Sequence, residues 1–384
     1  KSRLMMASGL NIVFMGTPAY AVPCLEAMAG EGHTVSLVVT QPDRPQGRGR
    51  RLAASPVKKT AQRLGYPVSQ PESVKSEVFA RQIHQAAPEV IVVVAFGGIL
   101  PFHILDLPSL GPVNIHPSLL PAYRGPSPIQ WAIANMETIT GVTSIYMNEQ
   151  MDAGDIILSR QEPIYPDDTA ADLHDRLAVL GAGVLLETLR QIWMGTAQAV
   201  PQDHSRATFA PLLKKTDGHI VWTQPADRLE AFIRAMTPWP GAFTFLNEKR
   251  YKIFRAQVVE TEVKVPPGTV LKGFPGDLWV AAARDALSIQ SIQGESGKVQ
   301  DIESFLRRAS ISPGSVSAPR FLRLLECRVF DPGNRNRSSD HIEKGLAFSN
   351  SDRAESSGGC NEAAKIAGYP GGKEKRPVHR IESG

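Results

Sequence analysis

A chain of 384 residues is too long for one compact core and predicts two domains with additional tails. Its hydrophobic fraction of 42% and charged fraction of 21% are ordinary for a globular protein, and a net charge of +4 is too mild to mark a nucleic-acid binder by itself. Only Cys24, Cys327 and Cys360 occur, without a CxxC pair, which argues against a disulfide framework or a thiolate zinc site and suits a reducing cytosol.

At the amino end, Lys1 to Gly9 lack the apolar core of a signal peptide, and the missing initiator Met suits numbering begun inside an upstream frame. No apolar run approaches the length of a membrane span. Asn11 to Met15 is a short apolar run stopped by Gly16, and Pro18 can occupy the first turn of a helix over Ala19 to Ala29. Thr34 to Thr40 reads as a buried, Val-rich strand. Arg44, Arg48, Arg50 and Arg51 then fall within eight residues, interleaved with Pro45, Gly47 and Gly49. That composition predicts a flexible surface loop with no regular helix or strand. It is either a solvated charged loop or a guanidinium-rich arm that meets phosphates and orders on RNA.

Pro56 to Leu64 has helical composition. Glu89 to Phe96 is a continuous apolar strand of the kind a central parallel sheet demands, and Val113 to His116 is a further short strand. Gly141 to Met147 and Asp155 to Tyr165 supply two more. Thr169 to Met194 reads as an amphipathic helix, opened by the capping chemistry of Pro166-Asp167-Asp168-Thr169. Alternating strands and helices predict βαβ units with right-handed crossovers, hence a Rossmann-like α/β domain with a mostly parallel sheet. Gly16-Thr17-Pro18 lacks the GxGxxG fingerprint, so no NAD is expected.

Ala199 to Lys215 has mixed polar composition and reads as an interdomain link. His219 to Trp222 is predicted as a brief strand and Pro225 to Met236 as a short helix. Ala242 to Leu246, Tyr251 to Val259, Gly268 to Leu271, Leu278 to Ala282 and Ala286 to Ile292 then read as five short strands, with Asn247 to Arg250 as the loop between the first two. Five short strands suggest a small β-barrel. From about Ser315 the periodicity ends, and the rest reads as a disordered tail or a downstream frame read through.

The chemistry concentrates in Val113-Asn114-Ile115-His116-Pro117-Ser118-Leu119-Leu120-Pro121 and, 38 positions after Asn114, Asp152-Ala153-Gly154-Asp155. Asn114 and His116 are two apart on an extended backbone, so their side chains share a face, and they end a strand where open α/β sheets gather ligands. An Asn can donate to a developing oxyanion. A His can move a proton near neutral pH, and a carboxylate can hold the imidazole in one tautomer and steady its cation. Each residue alone also has an ordinary structural reading: a polar strand end, a bonded histidine, an Asx turn. No GxSxG nucleophile accompanies the set, so it suits acyl transfer without a covalent intermediate.

At these residues the chain resembles the folate-dependent formyltransferases, whose pattern is Asn-x-His, Ser-Leu-Leu-Pro, then a downstream Asp. Asn11-Ile-Val-Phe-Met-Gly-Thr-Pro18, Thr40 to Leu52 with Ser55-Pro-Val-Lys58, Arg124-Gly-Pro-Ser-Pro-Ile-Gln130 and Pro238-Trp-Pro240 carry the likeness to the methionyl-tRNA formyltransferases, from about Asn11 to Gly314. The resemblance implies transfer of a formyl group from 10-formyltetrahydrofolate to the amine of initiator methionyl-tRNA. It assigns catalysis to Asn114, His116 and Asp152. Ser118, Leu119, Leu120, Pro121, Phe96 and Gly97 would line the folate site, and Arg44, Arg48, Arg50 and Arg51 would meet tRNA. It further implies a formyltransferase domain over residues 10–198, a linker over 199–217 and an OB-like β-barrel that contacts tRNA over 218–315, leaving 316–384 as tail. A cytoplasmic enzyme is expected, without metal, membrane or obligatory protein partner. Gly125-Pro126-Ser127-Pro128 departs from the Gly-Ala-Ala-Pro of many relatives. The alternatives are another formyl-folate enzyme, acting on a small amine or hydrolysing the donor, and a non-catalytic RNA-binding protein.

Overall fold

The computed structural model describes residues 9–46, 51–273, 275–295, 297–309 and 311–317. Arg48, Arg50 and residues 318–384, most of the expected tail, lie outside them.

The first part begins β1 (Asn11–Gly16), α1 (Val22–Met28), β2 (Thr34–Val39), β3 (Arg44–Gln46), β4 (Arg51–Ala53), α2 (Pro56–Arg63), β5 (Val68–Ser69) and α3 (Glu77–Ala86). It continues β6 (Val90–Val94), α4 (Phe102–Leu105), β7 (Pro112–His116), α5 (Pro128–Ala134), β8 (Ile139–Tyr146), β9 (Ile156–Pro163) and α6 (Ala170–Met194). Among the described residues, one seven-stranded sheet runs β5-β2-β1-β6-β7-β8-β9. It is parallel as far as β7, and β8 and β9 pair antiparallel. Burial on both faces explains the unbroken apolar runs. Along β1, Ile12 and Phe14 join the core cluster containing α1 and α6, while Val13 and Met15 join the opposite one with Phe79 and Ile83 of α3.

The sequence expectations missed β5, α3, α4 and α5; β5 and α4, of two and four residues, are too short to carry a periodic signal. Two expectations need correction. The arginine-rich stretch is not wholly irregular: β3 and β4 form an antiparallel ribbon with Arg44 opposite Ala53 and Gln46 opposite Arg51. Pro45 is tolerated because a two-stranded ribbon has only edge strands. Second, α6 is long and apolar enough to cross a membrane by length and composition, contrary to the reading that no run approaches that length. Its buried face, including Leu173, Leu177, Val184, Leu185 and Leu189, is instead part of the core. Thr169 and Asp172 form the expected cap, each side chain bonding to the other's backbone N–H.

Beyond a polar connection lie α7 (Ala226–Ala235), β10 (Ala242–Leu246), β11 (Lys249–Val259), β12 (Val270–Leu271), β13 (Trp279–Ala281), β14 (Ala286–Gln293), β15 (Gln300–Asp301) and α8 (Ile302–Leu306). The five predicted strands all appear. They pair antiparallel in the order β10-β11-β14-β13-β12, with β15 also against β14, and make the half-barrel expected as OB-like. His219 makes a single bridge to Phe243 where a strand was expected. The turn between β10 and β11 is tighter than expected: Leu246 faces Lys249, leaving Asn247 and Glu248 at φ 47° and 63°. The described chain continues its pairing past residue 315. Val316 bridges Thr269, and Ser317 Oγ donates 2.8 Å to the Phe245 carbonyl, tying the β12 side back to β10. The two parts meet where α7 packs on α5, and Arg234 Nη1 donates 3.0 Å to the Asp168 carbonyl.

Candidate active site

Strand β7 alternates so that Val113 and Ile115 enter the core while Asn114 and His116 share the other face at the carboxyl end. Asp152 arrives from the turn between β8 and β9. Its φ of 52° lies in the left-handed region, which Asp tolerates better than most residues. Two residues on, a Cβ on Gly154 would lie 1.7 Å from the Tyr146 carbonyl oxygen, so only glycine lets this turn close against β8.

The Asp152 carboxylate joins three groups. Oδ1 accepts from Asn114 Nδ2 at 3.0 Å, Oδ2 accepts from the Gly125 N–H at 2.9 Å, and His116 Nδ1 lies 3.6 Å from Oδ2. The Asp152 hydrogen bonds go to Asn114 and to backbone, while its contact with the imidazole is the ion-pair approach to Nδ1. His116 is also fixed through Nε2, 2.9 Å from the Tyr123 carbonyl. A carbonyl only accepts, so Nε2 carries a hydrogen, and Nδ1 faces the carboxylate.

The loop 121–127 supplies this frame. Gly125 has φ 119°, and a Cβ there would come 2.7 Å from the Ala210 carbonyl. Tyr123 hydroxyl donates 2.6 Å to Glu137 Oε1 and accepts from Asn135 Nδ2 at 3.1 Å. Burial and then the Glu137 bond push this phenol's pKa well above its ordinary value. Buried Arg124 donates to Gln202 Oε1 from Nε at 3.1 Å and from Nη2 at 2.6 Å. Burial lowers its pKa, against the pull of the nearby Asp152 carboxylate. Of Pro126 and Ser127, where the sequence departs from Gly-Ala-Ala-Pro, Pro126 is exposed, whereas Ser127 is buried and its Oγ accepts from the Leu213 N–H at 3.3 Å.

The predicted folate-lining residues separate. Ser118 is fully buried, its Oγ donates 2.6 Å to the Ala122 carbonyl, and its carbonyl accepts from Thr143 Oγ1 at 2.7 Å. Leu120 is buried and its N–H donates to Thr143 Oγ1 at 3.2 Å. Leu119 and Pro121 are half-buried. The Phe96 ring belongs to the core with Leu100 and Ile104 and is 2% exposed. The exposed wall next to it is Gly97 and Gly98. Arg44 is exposed, and the side chain of Arg51 is outside the described set.

Sequence reasoning did not single out Tyr123, Arg124, Gly125 or Gln202 as parts of the site. Arg124 and Gly125 stood inside a recognised motif, and Tyr123 just before it. Gln202 stood in a polar stretch with no periodicity. A groove of about 670 Å³, lined by Thr169, Glu230, Arg234 and Arg255, touches none of the candidate residues. Chemistry locates the site here, and concavity does not.

An α/β sheet followed by an antiparallel half-barrel, with an Asn, a His and a carboxylate joined at one strand end, defines a formyl-transferring class of protein, and sequence comparison agrees. Residues 10–189 match the formyl transferase domain and residues 212–310 the formyl transferase C-terminal domain. A methionyl-tRNA formyltransferase of Syntrophus aciditrophicus is 45% identical over 307 residues, which cover 80% of this chain and 98% of that protein. Another, from Caldanaerobacter subterraneus, is 46% identical over 308 residues, covering 80% of this chain and 99% of that protein. Among solved structures, HypX from Aquifex aeolicus, crystallised with tetrahydrofolic acid, has a TM-score of 0.54 at 20% identity, covering 78% of this chain and 47% of HypX, a likeness of fold. The chain belongs to the methionyl-tRNA formyltransferase family.

Proposed function

We propose that this enzyme transfers the formyl group of 10-formyltetrahydrofolate to the α-amine of methionine on initiator tRNA. The observation that carries the reading is the junction of Asn114 and His116 at the Asp152 carboxylate, in a chain of this family. The neutral amine attacks the formyl carbon, a C–N bond forms, and the bond to the folate N10 breaks. The amine loses a proton and N10 gains one. Asn114 has two amide hydrogens. One is held by Asp152, which aims the other at the oxyanion. His116 Nδ1 passes the proton, and the adjacent carboxylate steadies the imidazolium that forms in passing. No side chain becomes acylated.

The exposed Gly97–Gly98 turn and the half-buried Leu119 and Pro121 would receive the folate, with Ser118 and Leu120 fixing the loop from behind. The ribbon of β3 and β4, with Arg44 and Arg51 on it and Arg48 and Arg50 between, would meet tRNA phosphates, and the half-barrel would share that contact. Folate release followed by ultraviolet absorbance tests the reading with methionyl initiator tRNA, uncharged tRNA and buffer. Release only with the charged initiator is expected. Release in buffer alone would mean a hydrolase.

A further inference from the structure

The carboxylate at the centre of the site is well anchored, but its backbone is on a turn in the left-handed region with few local restraints. One side chain holds it. Gln202 is 5% exposed, and its Nε2 donates to the Asp152 carbonyl at 2.9 Å and to the Gly154 carbonyl at 2.7 Å. Its Oε1 takes two hydrogen bonds from Arg124, whose neighbours Tyr123 and Gly125 hold His116 and Asp152. A single amide therefore locks together the two loops that place the imidazole and the carboxylate. The segment on either side of Gln202 is tied to the same two loops: Val200 bridges Ile156, Arg124 N–H donates to the Thr208 carbonyl at 2.9 Å, and Ala210 N–H donates to the Arg124 carbonyl at 2.7 Å.

Resting on the function proposed above, we infer that Gln202, in the connection before the half-barrel, is a positioning residue that sets Asp152 against His116 and Asn114. Only an amide has the donors for two carbonyls and the acceptor for a guanidinium. A glutamate of equal length would keep the Arg124 contact and set a charge against both carbonyl oxygens.

The test uses the full chain with Gln202→Ala and Gln202→Glu. Both should lower kcat by about 30- to 100-fold, the cost of misplacing a reacting group by about an ångström. KM for 10-formyltetrahydrofolate and for methionyl-tRNA should stay within about threefold, and the His116 ring nitrogen signals should move in NMR spectra. Unmoved His116 signals with kcat within twofold of wild type overturn the inference. So does loss of folding in both variants by circular dichroism, which would assign Gln202 to the fold alone. A wild type inactive on methionyl-tRNA strikes the functional reading only, and the His116 signals then still decide the positioning role.

Discussion

Removing the Asn114 amide should lower kcat by about 10²–10³-fold, the usual cost of one oxyanion donor, with folate binding little changed. Asn114→Ala leaves Asp152 held by the Gly125 N–H, so the fold should survive. His116→Ala should lower turnover by a similar order, and near-normal single-turnover rates in that variant would end the proton-transfer role. Gly154→Ala tests the turn below them. Its methyl would sit 1.7 Å from the Tyr146 carbonyl, so the turn must open and Asp152 must leave its partners. We expect a melting temperature several degrees lower together with loss of turnover, and an unchanged melting curve would contradict the geometry. Asn114, His116 and Asp152 were legible because residue type, spacing and strand end agree. Gln202 was not, because a lone glutamine in a polar stretch looks like any solvated residue until the chain returns to the site. Phe96, two residues past the end of β6, turns its ring into the core beside the exposed Gly97 and Gly98, an orientation that composition does not carry.

The start of α6 offers a pH-dependent test. The Asp168 carboxylate accepts from Arg176 Nη1 at 2.7 Å and Nη2 at 2.6 Å and from the Tyr165 N–H at 2.7 Å. Burial alone would raise its pKa, but the Arg176 and Tyr165 bonds outweigh it and hold the carboxyl below the ordinary range. A depressed folded value means stability that is present above about pH 4, the unfolded value, and is lost as pH falls through the folded one. Asp168→Asn should therefore cost about 3 kcal/mol near pH 7 in denaturant melts, with the gap to wild type closing as pH falls well below 4. A gap that stayed constant with pH would refute the linkage. The ribbon of β3 and β4 makes a second element-scale prediction. Converting Arg44, Arg48, Arg50 and Arg51 to Gln should weaken productive tRNA binding and flatten its salt dependence, as fewer counterions are released, while folate affinity is unchanged. A collapse of folate affinity instead would remove the ribbon from the RNA interface. The apolar run of β6 and the cap and length of α6 were readable, whereas the three-residue strands of the ribbon and the single turn of α4 depend on contacts that composition does not carry.

At the scale of the whole molecule, the question is how much chain the half-barrel needs to close. The sequence pattern of strands fades near Ile292, which makes the chain beyond Ser315 look dispensable. Residues 314–317 nevertheless span the sheet's two edges. Val270 N–H donates to the Ser315 carbonyl and Gly314 N–H to the Val270 carbonyl, each at 2.8 Å, while Ser317 N–H donates to the Gly268 carbonyl at 2.9 Å. Ser317 Oγ reaches the Phe245 carbonyl, and Trp222 Nε1 donates to Ser317 Oγ at 3.2 Å. At about 1 kcal/mol net for each of these five bonds, their joint loss should cost about 5 kcal/mol, or roughly 10–20 °C in melting temperature. A chain ending at Ser317 should therefore match the full protein in stability and in tRNA formylation. A chain ending at Ser312 should melt lower and formylate tRNA less well at physiological salt, with folate binding retained because Asn114, His116, Asp152 and the Gln202 clamp are all upstream. The two chains compared by calorimetry and by salt titration of the formylation rate decide the point. Equal melting temperatures would show that the barrel closes without residues 313–317, and weaker folate binding in the Ser312 chain would show that the half-barrel supports the donor site as well.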